Sequence, residues 1–293
     1  MKVTDENKTA SIRHKKSKRK AFAELKNRKR STNLEILENE LFSDIRSVSE
    51  YAQEILQHYK KEEINYMPSH NYMAFQEEIR WAMRSVLIDW IIDVHHKLNL
   101  LPETLYLSVN LIDRFLSLRI VTIGKLQLVG VAGLLVASKF QEIASPSVET
   151  FVVLTDRSFT ENEILRAEKY MLHCLDYKIN YPSPLNWLRQ CSHNKEIDRL
   201  GSIILDSLLP DEKFLKYSPS VMGCAVAYLA RGLLPREDKE FEVFHKFAAH
   251  PLSSLTNCID EIKTYLQKPI LHSSIFKKHG TLFTKYLDNL NKV

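Results

Sequence analysis

Lys139 is the first charge after an almost unbroken apolar run, Leu128 to Ala137. Such a run reads as a helix buried on every side, which leaves two chemistries open to a cation at its end. It can lie along the helix and hold its ammonium in solvent beside the last carbonyls, where positive charge is favoured. It can instead donate its three N–H groups to acceptors of another molecule. Spacing alone favours the first. His95 and His96 are the next candidates, but adjacent helical positions point about 100° apart, so the two cannot readily ligate one ion. There is no glycine-rich phosphate loop, no G-x-S-x-G and no H-E-x-x-H, and the many carboxylates form no defensible acid–base pair. Cys174, Cys191, Cys224 and Cys258 are far apart in sequence, with no C-x-x-C and no histidine at zinc spacing. They read as reduced thiols of a cytosolic or nuclear protein. Neither metal, cofactor nor catalysis by this chain itself is expected.

The elements that must carry these residues read as helices. The chain has 293 residues, 44% hydrophobic and 26% charged, with only seven glycines, a composition that favours helix over strand and turn. No apolar leader follows the first Met, and the longest apolar stretch is about half of what a membrane span needs. Ser47 and Glu50 make an S-x-x-E capping box, after which Val48, Tyr51, Ala52, Ile55, Leu56 and Tyr59 share one helical face. From Ile79 to Val94 the apolar stripe is so wide that the helix is expected in the middle of a bundle. Prolines such as Pro102, Pro184, Pro219 and Pro251 stand where later helices would begin. The expected fold is all-α: a polar tail at 1–40, an N-terminal helix and linker at 41–79, and two tandem bundles of about five helices each. These occupy 80–180 and 181–293, joined by the turn "INYPSP".

Charge separates the tail from the body. Residues 1–31 hold twelve Lys or Arg and three Asp or Glu, a balance of +9, while the remainder, 29 basic against 33 acidic, is −4. The tail cannot bury enough apolar surface to offset its ordering entropy, so disorder is expected there. Its runs "KKSKRK" and "KNRKR" suit nuclear import or a nucleic-acid-binding arm as well as simple solubility.

"MRSVLIDWIIDVHHKLNLLPETLYLSVNLIDRFLS", "GKLQLVGVAGLLVASKFQEI", "LRAEKYMLHCLDYKINYPSPLNWLR" and "FLKYSPSVMGCAVAYLAR", in that order, resemble the cyclin box and its C-terminal repeat, above all those of mitotic, B-type cyclins. The resemblance covers residues 47–270 and implies a non-catalytic subunit that binds and activates a cyclin-dependent kinase. It places Lys139 and Glu168 against the backbone of the kinase's PSTAIRE helix, with Val136, Phe140, Ile143, Leu172 and Tyr177 as apolar contacts and Tyr51 and Ile55 from the leading helix. His58 falls where the family has tyrosine, with Tyr59 beside it. Arg84 and Asp113 match a buried structural ion pair of the first bundle, and Leu128 a core position. Met83, Val86, Leu87 and Trp90, with Leu126 and Gln127, match a groove for R-x-L substrates and inhibitors. Asp93 would be its acidic rim, and Ile123 stands where a basic residue is frequent.

In the tail, "RKAFAELKN" resembles a destruction box read by a ubiquitin ligase of the anaphase-promoting type, with Arg19, Phe22 and Asn27 at its key positions. Phe22 replaces the usual leucine. A nuclear and cytoplasmic location follows from the same resemblance, and neither direct nucleic-acid binding nor a membrane partner is expected. The rival is a two-bundle transcription factor of TFIIB type, which needs a basic folded surface to meet phosphates. The acidic body and the lack of zinc-ribbon cysteines speak against it. A transcriptional cyclin is the other alternative, and the destruction-box-like tail argues against that.

Overall fold

The computed structural model describes residues 51–192, 194–234, 248–268 and 272–280. The Ser47–Glu50 capping box and the Arg19, Phe22 and Asn27 motif lie outside them. The chain divides into two units, one ending at Gln57 and one running from His58. Helix α1, Ala52–Glu62, begins in the first and ends in the second. In the first unit Tyr51 and Ile55 are exposed.

In the second unit ten further α-helices and three short 3-10 helices are described, and no strand occurs among the described residues. α2 (Trp81–Lys97), α3 (Pro102–Leu118), α4 (Ile123–Gln141), α5 (Val148–Leu154) and α6 (Glu161–Cys174) make one bundle. α7 (Pro184–Cys191), α8 (Lys195–Leu208), α9 (Pro219–Gly232), α10 (Leu252–Leu266) and α11 (Ser273–His279) follow. Proline opens α3, α7 and α9 at the first helical turn, where its missing N–H goes unmissed. α6 begins with a capping box in which Thr160 and Glu163 satisfy each other's backbone N–H groups.

The helix buried on all sides is α4: Leu126 and every residue from Leu128 to Ser138 are out of solvent. Gly133 lets it lie close to α3, since a Cβ there would stand 2.7 Å from Ile112 and 3.2 Å from the Ser108 carbonyl. By length and apolarity α4 could cross a membrane, which corrects the sequence expectation of a stretch too short for one. Its apolar surface is instead taken up by the neighbouring helices. α2 corrects a second expectation. It is a surface helix of the bundle rather than a central one, with Ala82, Val86, His96 and Lys97 exposed. Part of its outer side is covered by α11, where Ser274 bonds Asp89, and Ser85 meets His272 at 3.3 Å. Two of the four thiols that are far apart in sequence are neighbours in space: the Cys191 and Cys224 sulfurs sit 3.5 Å apart, both buried, with no disulfide between them.

The two bundles meet through buried polar groups as well as apolar ones. Arg84 on α2 grips Asp113 on α3 through two 2.7 Å bonds, both side chains 1% exposed. Its remaining nitrogen donates to the carbonyls of Leu209 (3.0 Å) and Pro210 (3.1 Å) beyond α8. Asp206 on α8 accepts from Tyr106 on α3 and pairs with Lys278 and His279 on α11, at 2.6–2.8 Å. Glu63 accepts from the Ser220 amide and hydroxyl at the start of α9.

Candidate functional site

α4 and α6 bring Lys139 and Glu168 together. The ammonium lies 2.6 Å from the Glu168 carboxylate, with the lysine 42% exposed and the carboxylate 11%. The position follows from α4 itself. Buried through Ser138, the helix reaches solvent one residue later, so Lys139 and Phe140 are the first side chains to emerge. Around the pair the structure leaves large apolar groups uncovered: Phe140 is 46% exposed, Tyr177 66%, and Ile143 wholly so. Leu172 is half-buried against the core, and Val136 is buried, supporting the face from beneath.

Two features of this face were missed in the sequence. The first is Glu142, one residue beyond α4. Its carboxylate accepts the Leu101 amide (2.8 Å) and the Thr104 hydroxyl (2.5 Å) at the start of α3, where free N–H groups and the helix dipole favour an anion. It ties the end of α4, which carries Phe140, and the turn that carries Ile143 to the bundle. The second is the end of α6, where Asp176 and Tyr177 are both left-handed, each with φ 53. A bulky residue rarely adopts that conformation. Here the Tyr177 amide is held by the Leu172 carbonyl at 2.9 Å, and the ring is thrown outward. A T-x-x-E spacing could have revealed the capping box of α6, but no local pattern announces Glu142.

Tyr59 lines a recess of about 220 Å³ with Glu103, Phe140, Tyr181 and Asn186, while His58 beside it is exposed. On α2, Val86 is 70% exposed, Met83 and Trp90 are half-buried, and Leu87 is core. On α4, Leu126 is core and Gln127 half-buried. Asp93, expected as the acidic rim, already has two cations beside it. Lys97 lies 2.7 Å away one turn on, and Lys277 of α11 reaches it at 3.2 Å. The Lys97 bond, aided by Lys277, holds the Asp93 carboxyl below the usual range.

His95 is buried with its Nε2 2.9 Å from the Leu101 carbonyl and its Nδ1 unpartnered. Burial, aided by the Lys278 charge, pushes its imidazole down to about 4. Among the described residues no group of His, Cys, Asp and Glu could hold a metal ion.

Residues 54–180 match the family model for the cyclin N-terminal domain, and residues 182–288 the model for the cyclin C-terminal domain. The chain belongs to the cyclin family. Among curated cyclins it is 41% identical over 249 residues to the G2/mitotic-specific cyclin cdc13 of Schizosaccharomyces pombe, covering 84% of this chain and 52% of that one. It is 38% identical over 249 residues to the G2/mitotic-specific cyclin-B of Emericella nidulans, with 84% and 52% covered. With the G2/mitotic-specific cyclin CLB2 of Candida albicans it shares 39% over 251 residues, with 83% and 51% covered. The chain thus spans about half the length of the curated cyclins it matches. Its fold is also that of a viral cyclin from herpesvirus saimiri, at TM-score 0.64 and 19% identity, covering 72% of this chain and 95% of the viral one.

Proposed function

We propose that this cyclin is the activating subunit of a cyclin-dependent protein kinase of G2 or mitosis, and that Lys139 and Glu168 clasp the main chain of the kinase's PSTAIRE helix. The observation that carries this reading is the 2.6 Å pair itself, set among exposed Phe140, Ile143 and Tyr177 on a member of the cyclin family. A lysine offers only donors and a carboxylate only acceptors, so the two together can bond both kinds of backbone group on a foreign helix. Only the lysine end of the pair is open to water, the carboxylate being largely buried, so a partner's backbone can take over the ammonium while supplying the carboxylate with a replacement donor. Exposed aromatic and branched side chains around it supply the apolar contact that anchors an interface.

Activation in this reading is a population shift. The chain binds the catalytically competent arrangement of the kinase better than the inactive one, and supplies no reacting group. Tyr51 and Ile55, exposed in the first unit, add contacts from the leading helix. The Met83–Trp90 face, with Gln127 of α4, selects substrates and inhibitors, and Arg19, Phe22 and Asn27 serve recognition by a ubiquitin ligase. The G2 or mitotic assignment rests on the relatives' names and on about 40% identity to them. A nuclear and cytoplasmic location accords with the basic clusters of the tail.

The test is co-purification of the chain with a PSTAIRE-type kinase, followed by a histone phosphorylation assay. A stable one-to-one complex with a rate far above that of the kinase alone is expected. A complex that leaves the kinase rate unchanged would overturn the proposal.

A further inference from the structure

Between the end of α3, the start of α4 and one side of α6 lies a groove of about 450 Å³. Its floor is apolar, built from Phe115, Leu128, Val129, Ala132 and Met171, and its rim carries Arg119, Lys125 and Arg166 against a single carboxylate, Glu163. That carboxylate is occupied within the chain: it accepts from Lys125 at 3.3 Å and from the Thr160 amide at 3.0 Å. Glu78, near the mouth, is held by the Ile123 amide at 3.0 Å. Three cations, Arg119, Lys125 and Arg166, thus stand against Glu163 in the lining and Glu78 beside it, a surplus of one positive charge on a body that is otherwise acidic. Arg119 Nε also donates to Cys174 Sγ at 3.3 Å, which leaves its terminal nitrogens for a ligand.

The walls are unusual for a solvated surface. Ile120 is 62% exposed and Tyr170 50%, and Leu118 and Ile123 beside them are also more than half exposed. Contiguous uncovered apolar groups of this kind mark interaction sites. At about 100° per residue, Glu163, Arg166, Ala167 and Tyr170 share one side of α6, while Glu168 and Leu172 point roughly 150° away. The groove's lining thus shares no residue with the Lys139–Glu168 face or with the Met83–Trp90 face, although Ile123 at its edge is also the position named beside the expected R-x-L groove.

We propose that this groove docks a peptide segment of another protein, one with a bulky apolar residue flanked by Asp or Glu. The apolar residue enters between Ile120 and Tyr170, and the flanking carboxylates reach the guanidinium groups of Arg119 and Arg166, whose fork suits them. Binding there leaves the kinase-facing side of α6 free. The polarity is the reverse of that expected of an R-x-L ligand.

The experiment titrates the full chain with a fluorescein-labelled ten-residue peptide holding one Phe between Asp and Glu residues, alongside versions with Lys for every acid and Ala for Phe. Saturable binding is expected, at least about tenfold weaker for each altered peptide. Arg119→Glu and Arg166→Glu, both surface changes, should each weaken it about tenfold with no change in melting temperature, and Lys139→Glu should leave it untouched. No saturation up to millimolar peptide, equal binding of the Lys-containing version, or full binding by Arg166→Glu would each overturn the proposal.

Discussion

Replacing Arg84 by alanine tests how the two bundles are joined. The side chain is 1% exposed and makes four bonds, two to Asp113 at 2.7 Å and one each to the Leu209 and Pro210 carbonyls. Its removal leaves Asp113, equally buried, with the Tyr72 hydroxyl at 2.8 Å as its remaining side-chain donor. Breaking a buried ion pair from one side costs about 3–5 kcal/mol, and two carbonyls deprived of a charged donor add roughly 1–3 kcal/mol. Against a total stability of about 5–15 kcal/mol, that is a large share. At about 2–4 °C per kcal/mol, the melting temperature should fall by at least about 8 °C. Circular dichroism melts of wild type, Arg84→Ala and Arg84→Lys measure this, with lysine recovering only part because one ammonium cannot span both bundles. Kinase capture measured well below the variant's melting range should fall only with the folded fraction. An Arg84→Ala protein that melts within 2 °C of wild type yet fails to capture kinase would refute the reasoning.

Three further outcomes are expected. Lys139→Glu and Glu168→Ala should each weaken kinase capture by about 2–4 kcal/mol, or 30-fold and more. Glu168→Ala should melt within about 3 °C of wild type, because the group left without a partner is the partly exposed Lys139. Lys139→Glu instead sets a carboxylate beside the largely buried Glu168 and should melt a few degrees lower; normal capture by both would refute the docking face. Since Asp93 is already matched by Lys97 and Lys277, an R-x-L peptide should bind less than about threefold better than its A-x-L counterpart, and the ratio should rise in a Lys277→Ala variant. His95 should make stability pH-dependent. Its folded imidazole titrates at about 4, so between that pH and the unfolded value near 6.5 only the unfolded chain takes up the proton, and stability falls as pH is lowered. The loss is at most about 1.4 kcal/mol per pH unit and on the order of 3 kcal/mol in all. Urea melts from pH 7 to 4.5 should show this slope in wild type and a flatter one in His95→Gln.

Helical periodicity and proline positions make most of the helices legible in the sequence, because they depend on neighbours a few residues apart. α4 is recognisable from its unbroken apolar run. α2 misleads because its apolar width resembles that of a central helix, whereas part of its outer side is covered only by α11, which begins more than 170 residues later. The same distance hides the site's electrostatics. Nothing near Asp93 announces Lys277, nothing near Arg84 announces the carbonyls of Leu209 and Pro210, and Glu142 is one acid among many until the start of α3 is seen beside it. Lys139 alone reads as a cation at a helix end, and only resemblance to a family links it to Glu168. Fold follows from local pattern here, while the chemistry of the faces follows from contacts between distant segments.

The closed Lys139–Glu168 pair also bears on the chain's life before it meets a partner. Each group shields the other, so the resting surface advertises neither a lone cation nor a bare anion. A passing segment that offers only acceptors, or only donors, exchanges one bond for another and gains nothing. A segment that presents both at the right separation gains on each side at once. In the docking role proposed for it, the pair thus rejects half-matched segments without any clash to repel them.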